Sequence, residues 1–320
     1  MSKYVVRKLL FAIVTIFLVM TLNFTLIHVA PGDPITTLLG PDNQDPEARA
    51  EMMAAYGLDK PLHIQYAKYI SQLLKGNLGD SIIYHTPVSE LIGSKIGATV
   101  MLVFTAAVIS LIVGVLMGIT AGRREGSFFD RLFSYTSYTF NAMPSFWLGL
   151  MVIIVFATRL KWFPSSGMIN ARAHYTGFRH TLDVLYHMCL PLLTLLMLRI
   201  PGYFRTTKSS VLQVNSEDYI TTFKATGMNE KKIFRKYVFK NAILPVVTSF
   251  GISLAFLITG VSLIEIVFAW PGTGRVMLNA INQRDYPVLM GVYLIMSVMV
   301  AIMMIVVDIV YALLDPRIRY

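Results

Sequence analysis

The sequence predicts an all-α integral membrane protein with six transmembrane helices. Three observations carry that prediction. Charged residues make up 14 % of the 320, where a soluble domain carries roughly 25 %. Hydrophobic residues make up 55 %, and the mean hydropathy is +0.60. The apolar residues are gathered into six runs long enough to span a bilayer, which takes about 20 residues of helix. The same composition argues against disorder, which needs low hydrophobicity and high net charge.

The runs follow in order. Leu9 to Ala30 lies behind the basic cluster Lys3, Arg7 and Lys8. Its apolar stretch exceeds the about 7–15 residues of a cleavable leader's core, and His28-Val29-Ala30 is a poor cleavage site, so an uncleaved first span is expected. The second run is Ala98 to Ala121 and the third Phe133 to Thr158. The fourth, Met188 to Phe204, is shorter and is expected to be broken at Pro191 and Pro201. The fifth is Pro245 to Phe268 and the last Val288 to Leu313. A backbone in lipid must satisfy its own hydrogen bonds, so each run reads as a helix and not as an open strand.

Basic residues set the orientation. They collect in the N-terminal tail and in the loop after the second span (Arg123, Arg124, Arg131). Arg205, Lys208, Lys224, Lys231, Lys232, Arg235, Lys236 and Lys240 lie between the fourth and fifth spans, and Arg317 and Arg319 at the C-terminus. These segments, both termini included, are expected to be cytoplasmic. Between 31 and 95 acidic residues outnumber basic ones. The net charge of +10 is therefore a topology signal. No nucleic-acid partner is expected, because no compact basic domain carries the charge.

Residues 31–97 are too long for a simple turn and are expected to form an extracytoplasmic helical segment. Pro61 suits a first helical position and Gly76 the residue past an end. Between them Leu62, Tyr66, Tyr69, Ile70, Leu73 and Leu74 recur at helical spacing. A shorter helix is expected from Pro46 to Ala55. The segment reads as a cap packed on the bundle, or as a docking or gating surface for an extracytoplasmic partner, and the two are compatible.

Residues 205–244 are expected to project two short helices into the cytoplasm. Ser216 can cap the first, with Glu217 and Asp218 in its first turn favourable against the helix dipole. Gly227 ends it. Asn229 can cap the second, which places Ile233, Phe234, Tyr237 and Val238 on one side and the lysines and Arg235 on the other. Asn241 to Pro245 then feeds the fifth span, since proline is tolerated at a helix start. Physics alone leaves two readings. One is a basic loop beside anionic membrane lipid, worth about 1 kcal/mol per basic residue. The other is a docking element for a cytoplasmic partner.

At these residues the chain resembles a known family. Glu217-Asp218-Tyr219-Ile220, Ala225, Gly227 and Asn241-Ala242-Ile243-Leu244-Pro245-Val246-Val247-Thr248 are similar to the cytoplasmic loop of ABC-importer permeases. The spacing of eighteen from Gly227 to Pro245 matches the dipeptide/oligopeptide branch. The resemblance extends along the chain. Ala30-Pro31-Gly32-Asp33-Pro34, Tyr56-Gly57-Leu58-Asp59-Lys60-Pro61-Leu62 and Gly79-Asp80-Ser81 are similar to that branch before the second span. Pro144-Ser145-Phe146-Trp147-Leu148-Gly149 and Trp162-Phe163-Pro164 resemble its third span and exit. Trp270-Pro271-Gly272, Arg284-Asp285-Tyr286-Pro287 and Asp315-Pro316-Arg317-Ile318-Arg319 resemble its C-terminal part. Each is weak alone, and their order makes them specific.

The resemblance implies a type I ABC-importer permease architecture, with residues 1–320 forming a single transmembrane permease domain in a prokaryotic plasma membrane. It implies a subunit with no catalysis and no cofactor of its own. Its partners would be a second homologous permease subunit, two cytoplasmic ATPase subunits and an extracytoplasmic substrate-binding protein. Di- and oligopeptides are the implied cargo, with nickel, an opine or another small solute of the same branch as the alternative. Glu217, Asp218, Tyr219, Ala225, Gly227 and Pro245 are then the ATPase-coupling residues, on a helix seated in a groove of one ATPase.

The sequence contains no Gly-x-x-x-x-Gly-Lys-Ser/Thr run, and Pro271-Gly272-Thr273-Gly274-Arg275 lacks the lysine and reads as a turn after the fifth span. Energy therefore has to come from another polypeptide. No catalytic triad or paired carboxylate suggests an enzyme. Cys189 is the single cysteine, which excludes an intramolecular disulfide. His174, His180 and His187 lie near it without compact ligand spacing, so no metal site is expected. Ionisable residues within spans are functional candidates. Glu265 is expected about 30 Å along the fifth helix from Pro245 at helical rise, near the outer mouth, as a structural ion pair or a gate. Asn141 and Ser262 are candidates for the translocation pathway, or else glue between helices. Arg199 and Asp308 read as structural.

Overall fold

The computed structural model describes residues 2–29, 34–39, 46–255 and 261–314. Among them the chain is helical, with one isolated antiparallel bridge between Asp80 and Pro87. In order the helices are α1 (Ser2–Val29), α2 (Pro34–Leu39), α3 (Pro46–Tyr56), α4 (Leu62–Leu74) and α5 (Val88–Arg123). Next come α6 (Phe128–Ala142), α7 (Ser145–Val152), α8 (Gly177–Asn215), α9 (Asp218–Ala225) and α10 (Glu230–Ile233). The last five are α11 (Phe239–Ala242), α12 (Leu244–Ala255), α13 (Ser262–Val267), α14 (Thr273–Gln283) and α15 (Tyr286–Leu314). A π-helical turn, Ile153–Arg159, continues α7, and another, Phe234–Val238, joins α10 to α11. The motif residues Ala30 to Asp33 and Asp315 to Arg319 lie outside the described residues.

Among the described residues five helices are long and apolar enough to cross a membrane: Val6–Val29, Val88–Arg123, Gly177–Asn215, Glu230–Leu254, in which α10, the π turn, α11 and α12 run on as one, and Tyr286–Val306. They are six if α6 and the α7 stretch count as one bent span. Their outer faces are apolar. On α1, Leu10, Ile13, Phe17 and Leu18 are all more than half exposed. A face of this kind suits hydrocarbon, where burial against protein is not required.

Two expected spans differ from their sequence reading. The third was expected as one helix from Phe133 to Thr158, but α6 stops at Ala142 and the chain bends by 109° before α7. Pro144 lacks an N–H and disfavours helical geometry in the residue before it, and Met143 is extended at φ −84, ψ 135. The fourth was expected to be short and broken, yet α8 is one helix of 39 residues with Pro191 and Pro201 inside it. Packed neighbours and hydroxyl side chains satisfy the carbonyls that proline frees in such helices. The fifth expected span is described as α12 and α13, and residues 256–260 between them lie outside the described residues. An 11-residue helix, α14, follows Pro271-Gly272, where only a turn was expected.

The chain divides into two compact units, Met1–Thr99 with Gly272–Ala301 and Val100–Pro271 with Ile302–Tyr320. In the first, α4 lies on α1. Tyr66 and Thr21 share a hydrogen bond of 2.6 Å, and the Phe24 ring lies 5.1 Å from Tyr66 and 5.9 Å from Tyr69. Leu62 and Leu74, counted in the apolar stripe of this helix, remain exposed. The fully buried Asp285 joins segments two hundred residues apart. Its carboxylate accepts from Ser81 Oγ, from the N–H of Ile82 at 3.2 Å and from the N–H of Ile83 at 3.3 Å.

In the second unit three glycines let α5 meet α8. A Cβ on Gly114 would lie 2.6 Å from Tyr203 Cβ, one on Gly118 2.5 Å from Thr207 Cβ, and one on Gly122 2.8 Å from Val211 Cγ1. Such spacing of small residues brings backbones together in membrane helices. Lys208 of α8 pairs with the buried Asp130 of α6, whose carboxylate also accepts from the N–H of Gly126 at 3.0 Å and from Ser134 Oγ at 3.3 Å.

Candidate functional site

The stretch Glu217 to Pro245 forms a small structure on the end of α8. Ser216 was expected to cap the first short helix, but it closes α8 instead. Its N–H bonds to the carbonyls of Leu212 and Gln213, and its hydroxyl donates to Gln213 O at 2.8 Å. The reason is length: α8 runs eleven residues past the expected end at Phe204, so its last turn claims Ser216. Glu217 takes the N-cap position of α9 with φ −70, ψ 143, and its side chain makes no capping bond. Asp218 lies in the first turn, where a negative charge is favourable against the dipole.

α9 is held by one deeply buried side chain. Ile220 is fully buried against Val211 of α8, Ile233 of α10, Val238 of the π turn and Ala242 of α11. Phe223 and Tyr237 flank this core, their rings 4.3 Å apart. Tyr219 is 39 % exposed; its ring lies edge-on to Phe223 at 6.2 Å and its hydroxyl accepts from Asn241 Nδ2 of α11 at 3.3 Å. Thr221, Thr222, Lys224, Ala225 and Thr226 are exposed. The helix therefore has a buried seat and an open polar face.

Gly227 sits just past the end of α9 with φ +74, a conformation that costs other residues about 1–2 kcal/mol. Its N–H bonds Lys224 O at 3.0 Å, and Met228 N bonds Phe223 O at 3.2 Å. The chain thereby turns at once into Asn229, whose side chain accepts from the N–H of Lys231 at 2.9 Å and caps α10 as expected. Ile233 and Val238 are buried while Lys231, Lys232, Arg235, Lys236 and Lys240 are exposed, the two-sided pattern read from the sequence. Pro245 lies in the first turn of α12, exposed, four residues beyond Asn241.

The three pathway candidates have different surroundings. Asn141, at the end of α6, is exposed, and its Oδ1 accepts from Arg205 Nη2 of α8 at 3.3 Å. Ser262 opens α13 and is half-buried. Glu265 is fully buried in the first turn of α13, its carbonyl accepting from the N–H of Trp270 at 2.7 Å. α13 packs on α7 and α8. There Gly149 leaves room for it, since a Cβ would lie 3.2 Å from Val267 Cγ1. That gives the glycine of Pro144-Ser145-Phe146-Trp147-Leu148-Gly149 a packing reason.

Asp285 stood in the sequence only as part of the Arg284-Asp285-Tyr286-Pro287 motif, without a role, and the Lys208–Asp130 pair and the Gly114, Gly118, Gly122 row were not singled out. The glycine row was visible as a four-residue repeat of small residues. The pairings of Asp285 with Ser81 and of Lys208 with Asp130 join residues distant in sequence, and no local signal records them. Among the described residues no group of three or more His, Cys, Asp or Glu side chains is arranged to hold a metal ion. His187 instead lies 3.3 Å from Asp183 on the preceding turn of α8.

Comparison with known proteins gives a consistent result. Residues 110–320 match the family described as the binding-protein-dependent transport system inner membrane component, and residues 1–103 match the N-terminal component of such systems. The chain is 34 % identical over its full length to the oligopeptide transport system permease protein AppB of Bacillus subtilis, covering all of that protein. It is 35 % identical to the di/tripeptide transport system permease protein DppB of Pseudomonas aeruginosa, and 33 % to the dipeptide transport system permease protein DppB of Escherichia coli. In both cases all of this chain and 99 % of the relative are covered.

Proposed function

The chain belongs to the dipeptide/oligopeptide branch of the binding-protein-dependent ABC-importer permeases, and on that premise we propose that it forms part of a pathway carrying short peptides inward across the membrane. It is a multi-pass inner membrane component. In the proposed arrangement a second homologous permease completes the pathway. Two cytoplasmic ATPases drive it and an extracytoplasmic binding protein delivers the peptide. Both termini and residues 205–244 face the cytoplasm, residues 31–97 face outward, and the six spans form one permease domain. The chain itself does no chemistry.

The observation that supports this reading most directly is the construction of α9. A rigid short helix, anchored by Ile220 and offering Asp218, Tyr219, Thr221, Thr222 and Ala225 outward, is suited to receive a push from a docked ATPase. Its seat is shared by α8, α10 and α11, so a displacement of α9 is passed to two long apolar helices as a rigid-body movement. Glu217 and Asp218 offer the N-terminal end, Gly227 fixes the exit, and Pro245 marks where the following span begins. Asn141, Ser262 and Glu265 are proposed to face the route or to control its opening. Glu265 is the leading candidate because a buried carboxylate between helices is costly and rarely kept without a role.

The test is reconstitution in proteoliposomes with cognate ATPases, the second permease and the binding protein. Peptide-stimulated ATP hydrolysis with accumulation of labelled dipeptide is the expected result. Hydrolysis that never responds to loaded binding protein, in a correctly assembled complex, would overturn the reading.

A further inference from the structure

Within the first unit a cleft of about 380 Å³ lies between the end of α1, α4, the turn 76–80 and the start of α15. Its lining is mixed in an informative way. The rings of Phe24, His28, Tyr56, Tyr69 and Tyr286 form one part, and Phe24 stacks on His28 at 4.0 Å. Burial raises the Tyr69 hydroxyl well above its usual range, so it stays a neutral donor. The other part carries two opposite charges, Lys68 and Asp80. Among the described residues neither the Lys68 ammonium nor the Asp80 carboxylate has an ion-pair partner or a side-chain hydrogen bond, with each other or with any other group.

Glycine turns set the backbone beside both charges. Gly57, at φ +70, brings the turn between α3 and α4 so close that a Cβ there would lie 3.5 Å from Lys68 Nζ. Asp80 follows Gly79, at φ +80, whose N–H bonds Asn77 Oδ1 at 2.9 Å. It directly precedes Ser81, which Asp285 clamps. A cation and an anion that share a cleft and do not neutralise one another favour a ligand bearing both signs. A ligand with one sign alone would gain one attraction and meet one repulsion.

We propose that this cleft binds a small zwitterion, its anionic group toward Lys68, its ammonium toward Asp80 and its body along the aromatic wall. Two sources carry this chemistry: a free short peptide, or the headgroup of an ethanolamine phospholipid. The proposal does not depend on ATPase coupling, and its test uses no ATPase.

The full-length chain is purified into nanodiscs of phosphatidylglycerol alone, and binding of isotope-labelled trialanine is measured at equilibrium. In parallel, native mass spectrometry of chain purified with mixed lipid reads retained phosphatidylethanolamine against phosphatidylglycerol. Binding of trialanine that falls at least tenfold in Lys68→Met and in Asp80→Asn, is kept in Lys68→Arg, and is lost for N-acetyl-trialanine amide supports the proposal with peptide as the source. Selective retention of one phosphatidylethanolamine, lost in the same two variants, supports it with lipid as the source. Neither ligand bound, or binding that both substitutions leave unchanged, overturns it. Both positions are exposed, so the variants are expected to fold, and Lys68→Arg checks that expectation.

Discussion

Replacing Ile220 by alanine separates the seat of α9 from its outward face. The substitution removes three carbons from a side chain that is fully buried, and at about 0.8 kcal/mol per buried carbon the transfer loss is about 2.4 kcal/mol. The surrounding Val211, Ile233, Val238 and Ala242 sit on separate elements and collapse only partly onto the gap. A residual cavity brings the total to about 3 kcal/mol. Ile220 is the only fully buried residue among the eight of α9, so the loss falls on that helix and not on the spans. At about 1.4 kcal/mol per factor of ten, the detached state of α9 rises on the order of 100-fold. Hydrogen exchange in nanodiscs reads this directly. The amides of Thr226, Gly227 and Met228, which bond Thr222, Lys224 and Phe223, are expected to exchange on the order of 100-fold faster, while those of α5 are unchanged. Tyr219→Ala, on the exposed face, is expected to alter exchange little and ATPase association more. Unchanged protection of residues 226–228 in Ile220→Ala, or equal loss in Tyr219→Ala, would refute the view that one buried side chain anchors the helix.

Gly227→Val is expected to insert normally yet uncouple uptake from ATP hydrolysis. No heavy atom lies within 4 Å of a Cβ there, so the cost of about 1–2 kcal/mol is backbone strain alone, and normal uptake by a well-expressed variant would count decisively against the assigned turn. Glu217→Lys puts a positive charge on the positive end of α9, a loss of about 0.3–1 kcal/mol from the helix. Weaker co-purification with the ATPases is the expected readout. Gly118→Ala drives a methyl to 2.5 Å from Thr207 Cβ and 2.8 Å from Phe204 O, and α5 and α8 must part. A clear drop in thermal stability is expected, whereas Gly93→Ala, with open space around it, changes nothing measurable. Asp285→Asn removes the charge that receives Ser81 Oγ and two N–H groups. A loss of about 1–3 kcal/mol is expected, seen as protease access to the 77–87 turn while the spans stay protected.

What was legible in the sequence is local in origin. Hydrophobic runs of bilayer length appear because lipid selects them residue by residue. Gly227 and Asn229 could be read because a left-handed exit and a capping side chain act within three or four residues. The two-sided pattern of Ile233 and Val238 against the lysines followed from helical period. Where local signals competed, the reading slipped. Ser216 looked like an N-cap because serine often is one, but the greater length of α8 made it a C-terminal residue. Pro191 and Pro201 looked like breaks, and α8 runs through both. Pro144, inside an equally apolar run, does break its helix.

Consecutive residues alone mark this chain as a membrane permease subunit, because both the apolar runs and the ordered family motifs are properties of neighbours along the chain. Only the tertiary structure joined Asp285 to Ser81, Lys208 to Asp130, and the Gly114, Gly118, Gly122 row to α8. It alone placed Lys68 and Asp80 in one cleft. The physical reason is the same in each case. A hydrogen bond, an ion pair or a close backbone approach between distant segments depends on where the chain returns, and nothing in the neighbouring residues records that return.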